Sequence, residues 1–75
     1  MRTQKQFTAV IEREDNQYVA LCPEVDIVSQ GNSVEEARAN LQEALELFFE
    51  TASPQEVQER LHQEIFITRL EVAVG

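Results

Sequence analysis

Cys22 and His62 are the one cysteine and the one histidine of the chain, and they stand 40 positions apart. A zinc site draws on several Cys and His ligands at short, recurrent spacings, and none occurs here. A nucleophile needs a base within hydrogen-bond reach, and the spacing offers Cys22 no partner besides a remote histidine. Cys22 therefore reads as a small buried hydrophobe and His62 as a surface residue on a short helix. No catalytic residue, metal ligand or cofactor is expected.

Carboxylates are the remaining chemistry-bearing groups. Glu24 and Asp26 share one loop. Paired carboxylates can hold two metal ions for phosphoryl chemistry, but such a site needs acidic groups converging from several elements. The loop reads either as solvated acid or as a contact for a partner. A larger acidic set lies downstream. At 100° per residue, Glu35, Glu36, Glu43, Glu46 and Glu50 fall in one arc of a helix, opposite its apolar face. Residues 33–64 carry eight acidic and two basic side chains, hence −6 of the chain's net −8. The stripe reads either as the solvated back of an amphipathic helix or as a docking face for a basic protein. Leu47 falls among these glutamates. It is expected to be covered by the second helix, through Val57 or Leu61, or else to anchor an interface. The candidate partner-binding set is Glu24, Asp26, Glu36, Glu43, Glu46, Leu47 and Glu50.

The elements that position these groups follow from pattern. Phe7, Ala9 and Ile11 alternate with polar neighbours across residues 6–13, which predicts a half-buried strand. Residues 14–17 form a turn, because Asp15 and Asn16 tolerate left-handed backbone. Tyr18 to Cys22 is the hairpin partner, ended by Pro23, which lacks an N–H. Ile27 to Gln30 is a third strand. Ser33 with Glu36 forms a candidate capping box, and Glu35 and Glu36 suit the positive end of the helix dipole. Val34, Ala37, Leu41, Ala44, Leu45 and Phe48 make the packing face of a helix running from Val34 to about Glu50, about 25 Å long. Arg38 lies at the edge of that face, where its stem can cover apolar surface. Ser53, Pro54 and Glu56 repeat the capping device and open a short helix to about His62. Residues 65–74 alternate again and predict a last strand, with Phe66, Thr68, Leu70, Val72 and Val74 on one face. Its other face begins with Ile65 and Ile67 and continues with Arg69. These three are the candidate oligomer contacts, because a solvated face should not start so apolar.

The fold class expected is α+β: three N-terminal antiparallel strands, one long helix, a short helix and a final strand, in two layers. At 75 residues the chain is one domain, 1–75. Such a chain buries only roughly 60% of its unfolded surface, and small scaffolds of this kind often gain stability by self-association. Fourteen acidic against six basic side chains oppose a direct nucleic-acid surface, whose usual footprint is a basic patch. The same field attracts a basic protein. No apolar run approaches the length of a bilayer span, and residues 1–6 are too polar to open a signal peptide. A cytoplasmic protein without membrane contact is expected.

The run Tyr18-Val19-Ala20-Leu21-Cys22-Pro23-Glu24, followed by Gly31, Ser33-Val34-Glu35-Glu36-Ala37 and Asn40-Leu41-Gln42-Glu43-Ala44-Leu45, resembles the HicB-like antitoxins over about residues 7–50. The resemblance implies a partial RNase H-like β-β-β-α-β fold without nuclease activity of its own. It implies a basic, mRNA-cleaving HicA-type toxin as the partner to be neutralised, and a homodimer or larger homo-oligomer. Many such antitoxins carry a C-terminal DNA-binding domain. Here the chain stops at Gly75, so a short form without that domain is expected, and autorepression through its own DNA contact is not. The alternative is an orphan self-associating α+β module without a toxin. A metal-dependent nuclease would turn over with Mg²⁺ or Mn²⁺, and none is expected to.

Overall fold

Asp15 adopts a left-handed backbone, φ 55°, and this lets the chain reverse within two residues. Strand β1 (Val10–Glu14) thereby pairs antiparallel with β2 (Gln17–Cys22), with Glu14 opposite Gln17 and Val10 opposite Leu21. Arg13 Nε donates to the Asp15 carbonyl at 3.2 Å and braces the turn. A second left-handed residue, Asp26 (φ 55°), ends the next loop, and β3 (Ile27–Gly31) pairs antiparallel with β2. The computed structural model describes residues 4–62 and 64–75; among these the sheet has three strands in the order β1-β2-β3. The α+β class holds.

Strand β1 begins at Val10, four residues later than the alternation suggested. The cause lies in its partner. Pro23 follows Cys22 and cannot donate to a ladder, so β2 ends there and residues 6–9 run on beyond the pairing.

Helix α1 (Val34–Thr51) crosses one face of the sheet. Ser33 caps it, its hydroxyl accepting from the Glu36 amide at 3.0 Å. The reciprocal half of the box is displaced by one residue: the Glu36 carboxylate accepts from the Asn32 amide at 3.3 Å. The approach at the entry is close. A Cβ on Gly31 would lie 2.6 Å from the Ala37 nitrogen and 2.8 Å from the Glu36 carbonyl carbon. Only glycine lets β3 run this near the first turn of the helix.

Because side chains alternate along strands, Ile11 of β1, Tyr18, Ala20 and Cys22 of β2, and Ile27 of β3 face the helix. The fully buried core is Ala20, Cys22, Val25, Ala37 and Leu41, with Phe7, Ile11, Tyr18, Ile27, Leu45, Phe48 and Leu61 packed around it. Val34 belongs to the expected packing arc, yet it is 42% exposed. It is the first helical residue, ahead of the turn at Ala37 where helix and sheet meet. On the other sheet face Val10, Leu21 and Val28 form a cross-strand row, with Val10 and Val28 exposed.

Helix α2 (Pro54–Arg60) carries a complete capping box between Ser53 and Glu56, with Pro54 in the first turn. Beyond it the expected last strand does not form within the single chain. Residues 64–75 take part in no ladder, and Phe66, Leu70 and Val74 are 84%, 84% and 90% exposed. A strand needs a partner edge to satisfy its backbone, and this segment lies against none. The radius of gyration, 14.5 Å, accordingly exceeds the ~11 Å of a compact chain of this length.

Candidate functional site

Two regions hold the residues singled out from the sequence. The first is the loop between β2 and β3. Both carboxylate oxygens of Glu24 accept from the Thr8 amide, at 3.0 and 3.1 Å, and one accepts from the Thr8 hydroxyl at 2.6 Å. The Cys22 thiol donates to the same carboxylate at 3.3 Å. Partial burial alone would raise the Glu24 pKa. The donors from Thr8 and Cys22 outweigh that effect and hold it below the ordinary glutamate value. Burial, reinforced by the hydrogen bond to Glu24, pushes the Cys22 thiol up.

Asp26 faces elsewhere. Its carboxylate lies 2.6 Å from His62 Nε2, and the His62 amide donates to the Glu24 carbonyl at 2.7 Å. Arg60 completes the join: its Nε donates to the Val25 carbonyl at 3.2 Å and its guanidinium NH₂ to the Asp26 carbonyl at 3.3 Å. The same guanidinium sits 5.4 Å over the Phe48 ring, within cation–π range. The loop is thus a fastening point for both ends of the fold. Glu24 turns inward as a structural tie, and the two loop carboxylates do not converge. Among the described residues no three Cys, His, Asp or Glu side chains gather as a metal-holding cluster.

The second region is the outer face of α1. Glu35, Glu36, Glu43, Glu46 and Glu50 are all exposed. Leu47 stands among them at 60% exposure. The expected cover from α2 is absent, because Val57 and Leu61 turn instead toward the flank of α1 beside residues 4–9. There a groove of about 910 Å³ opens, lined by Phe7, Leu41, Leu45, Phe49, Val57 and Leu61, with Lys5, Arg38, Glu46 and Glu50 among its polar margin. Phe7 packs on Phe49 with ring centroids 5.2 Å apart, and Phe49 meets Phe48 edge-on at 5.1 Å.

Strand alternation and helical period do not by themselves show the groove. Phe7 belongs to the strand alternation and Phe49 to the flank of the helical arc, and only the early end of the β1 ladder brings them together. The Thr8–Glu24 tie is equally hidden, since it joins residues 16 apart in different elements. Ile65 is half-buried, while Ile67 and Arg69 are exposed. No helix among the described residues is long and apolar enough to cross a membrane.

No family model matches the chain, and no solved structure matches it. Curated relatives do. A protein of Thermotoga maritima, named only as a UPF0150 protein, is 51% identical over 51 residues, covering 64% of this chain and 68% of the relative. A UPF0150 protein of Helicobacter pylori (strain J99) is 49% identical over 43 residues, covering 56% of this chain and 60% of the relative. The chain thus spans about two thirds of the first and three fifths of the second. On identity this high across most of the first relative, the chain belongs to the UPF0150 family.

Proposed function

We propose that this protein is a HicB-like antitoxin domain that binds and masks a small, basic, mRNA-cleaving toxin of the HicA type. The observation that carries the reading is the outer face of α1, where five glutamates are exposed and an exposed Leu47 lies beside Glu43 and Glu50, one turn away on either side. A concentrated negative face steers a basic partner into encounter, and an apolar side chain set among the charges supplies desolvated contact area. The family name of the relatives states no activity, so the reading rests on these residues and on the resemblance of residues 7–50. Its test is co-expression with a strongly basic protein encoded beside this one, followed by size-exclusion chromatography and an RNA-cleavage assay. Co-elution with loss of cleavage is expected. Separate elution with cleavage intact overturns the reading.

A second reading, a self-associating module, is favoured by a different observation: the exposed, apolar-periodic segment 64–74.

A further inference from the structure

The same chain carries an unpaired strand sequence and an unpaired strand site. Along residues 64–74, Phe66, Leu70, Val72 and Val74 share one side of an alternating pattern, and all four are exposed. Backbone in this segment joins no ladder. Elsewhere, β1 and β3 are the edge strands of the sheet, each paired on one side alone, and of the two it is β1 that continues back into residues 4–9. Beside the segment leading into that strand, under the flank of α1, lies the apolar groove floored by Leu41 and Leu45. Residues 4–9, which form its wall, would span about 20 Å when extended, and residues 66–72 span about the same.

We propose that residues 64–74 of one copy lie in the groove of a second copy, beside its residues 4–9 and beneath its α1, and that the second copy returns the exchange. This deepens the self-association reading above and rests on it. The partner is a second copy because the two halves of the contact coexist on every chain. Leu61 lines the groove, while no residue of 64–74 is among its lining. A tail outside its own groove and a groove open to a tail make a self-complementary pair, which closes after two copies. Strand addition satisfies backbone groups along an open edge, while alternate side chains enter the apolar floor. Lys5, Arg38 and Glu46 at the margin supply both signs for Arg69 and Glu71 of the incoming segment.

Sedimentation equilibrium of the full chain tests self-association, with a mass of twice 8.6 kDa expected. Leu70→Glu should return the mass to the monomer with unchanged circular dichroism, because Leu70 is 84% exposed within its own chain. For the seating, one chain carries Gln42→Cys at the groove and another Thr68→Cys on the segment. They are mixed through mild denaturant, refolded and treated with a short bis-maleimide. Cys22 is fully buried and stays unreacted. A cross-linked species containing one chain of each kind is expected. A dimer that resists Leu70→Glu and gives no mixed cross-link overturns the seating while leaving self-association standing. A monomeric wild-type chain overturns both. A Gln42→Cys/Thr68→Cys double variant that links within one chain at monomer mass places the segment in its own groove and overturns the exchange.

Discussion

Thr8 and Glu24 are joined by three hydrogen bonds, two from the Thr8 amide and one from its hydroxyl. The segment before β1 has no ladder there, so this carboxylate holds it against the sheet and sets one wall of the groove. Glu24→Ala should therefore destabilise the fold by about 1.5–3 kcal/mol, the range for hydrogen bonds to a charged group. Urea unfolding followed by circular dichroism measures it, and an unchanged midpoint would remove the tie from the account.

The tie also titrates. Glu24 has a lower pKa folded than unfolded, so its stabilisation is fully present above the ordinary glutamate value of about 4.3. It is lost as pH falls through the lower folded value. The stability gap between the wild-type chain and Glu24→Ala should be constant at neutral pH and shrink from about pH 4 downward. A gap that widened on acidification would contradict the assignment.

Gly31 is dictated by space. Its missing Cβ would meet backbone of Glu36 and Ala37 within 3 Å, and backbone at a helix start cannot swing aside. Gly31→Ala should cost about 1–3 kcal/mol, the usual cost of overpacking, read as a lowered urea midpoint. An unaffected variant would mean that β3 and α1 part more easily than their geometry suggests.

The helical arc separates two leucines that composition alone treats alike. Leu41 is 2% exposed, and Leu41→Ala should cost about 2–5 kcal/mol. Leu47 lies wet on the opposite side, and Leu47→Ala should change stability by less than about 0.5 kcal/mol. Thermal unfolding of the two variants compares them directly; equal losses would rotate the helix relative to the sheet.

That contrast marks how far the sequence reaches. The 3.6-residue period placed Ala37, Leu41 and the glutamates on their proper sides, and Ser53-Pro54-Gln55-Glu56 announced α2 through local hydrogen bonds alone. Local chemistry suffices there because each decision involves neighbours within a turn. It failed where two distant segments decide together. Pro23 shortened β1 through its partner strand. Arg60, in the sequence merely one of the two basic side chains of residues 33–64, spans 35 positions to the Val25 carbonyl. Phe66 to Val74 has a strand's alternation, but alternation says which side is apolar and is silent about whose edge it meets.

The charge on α1 has its own consequence for the proposed toxin complex. Glu43 and Glu46 are exposed on the outer face, so replacing both with glutamine removes two negative charges while leaving the core untouched. Long-range attraction acts before contact, which places the effect in the association rate. At low salt the double variant should associate roughly threefold to tenfold more slowly with the basic partner. At about 0.5 M salt the difference should nearly vanish, because the screening length then falls below the reach of steering. Dissociation should change little, whereas Leu47→Ala should speed it, since an apolar contact acts only after docking. Stopped-flow or surface-based kinetics across a salt series separates the two. Equal association rates at every salt concentration would show that the glutamates merely keep the helix wet.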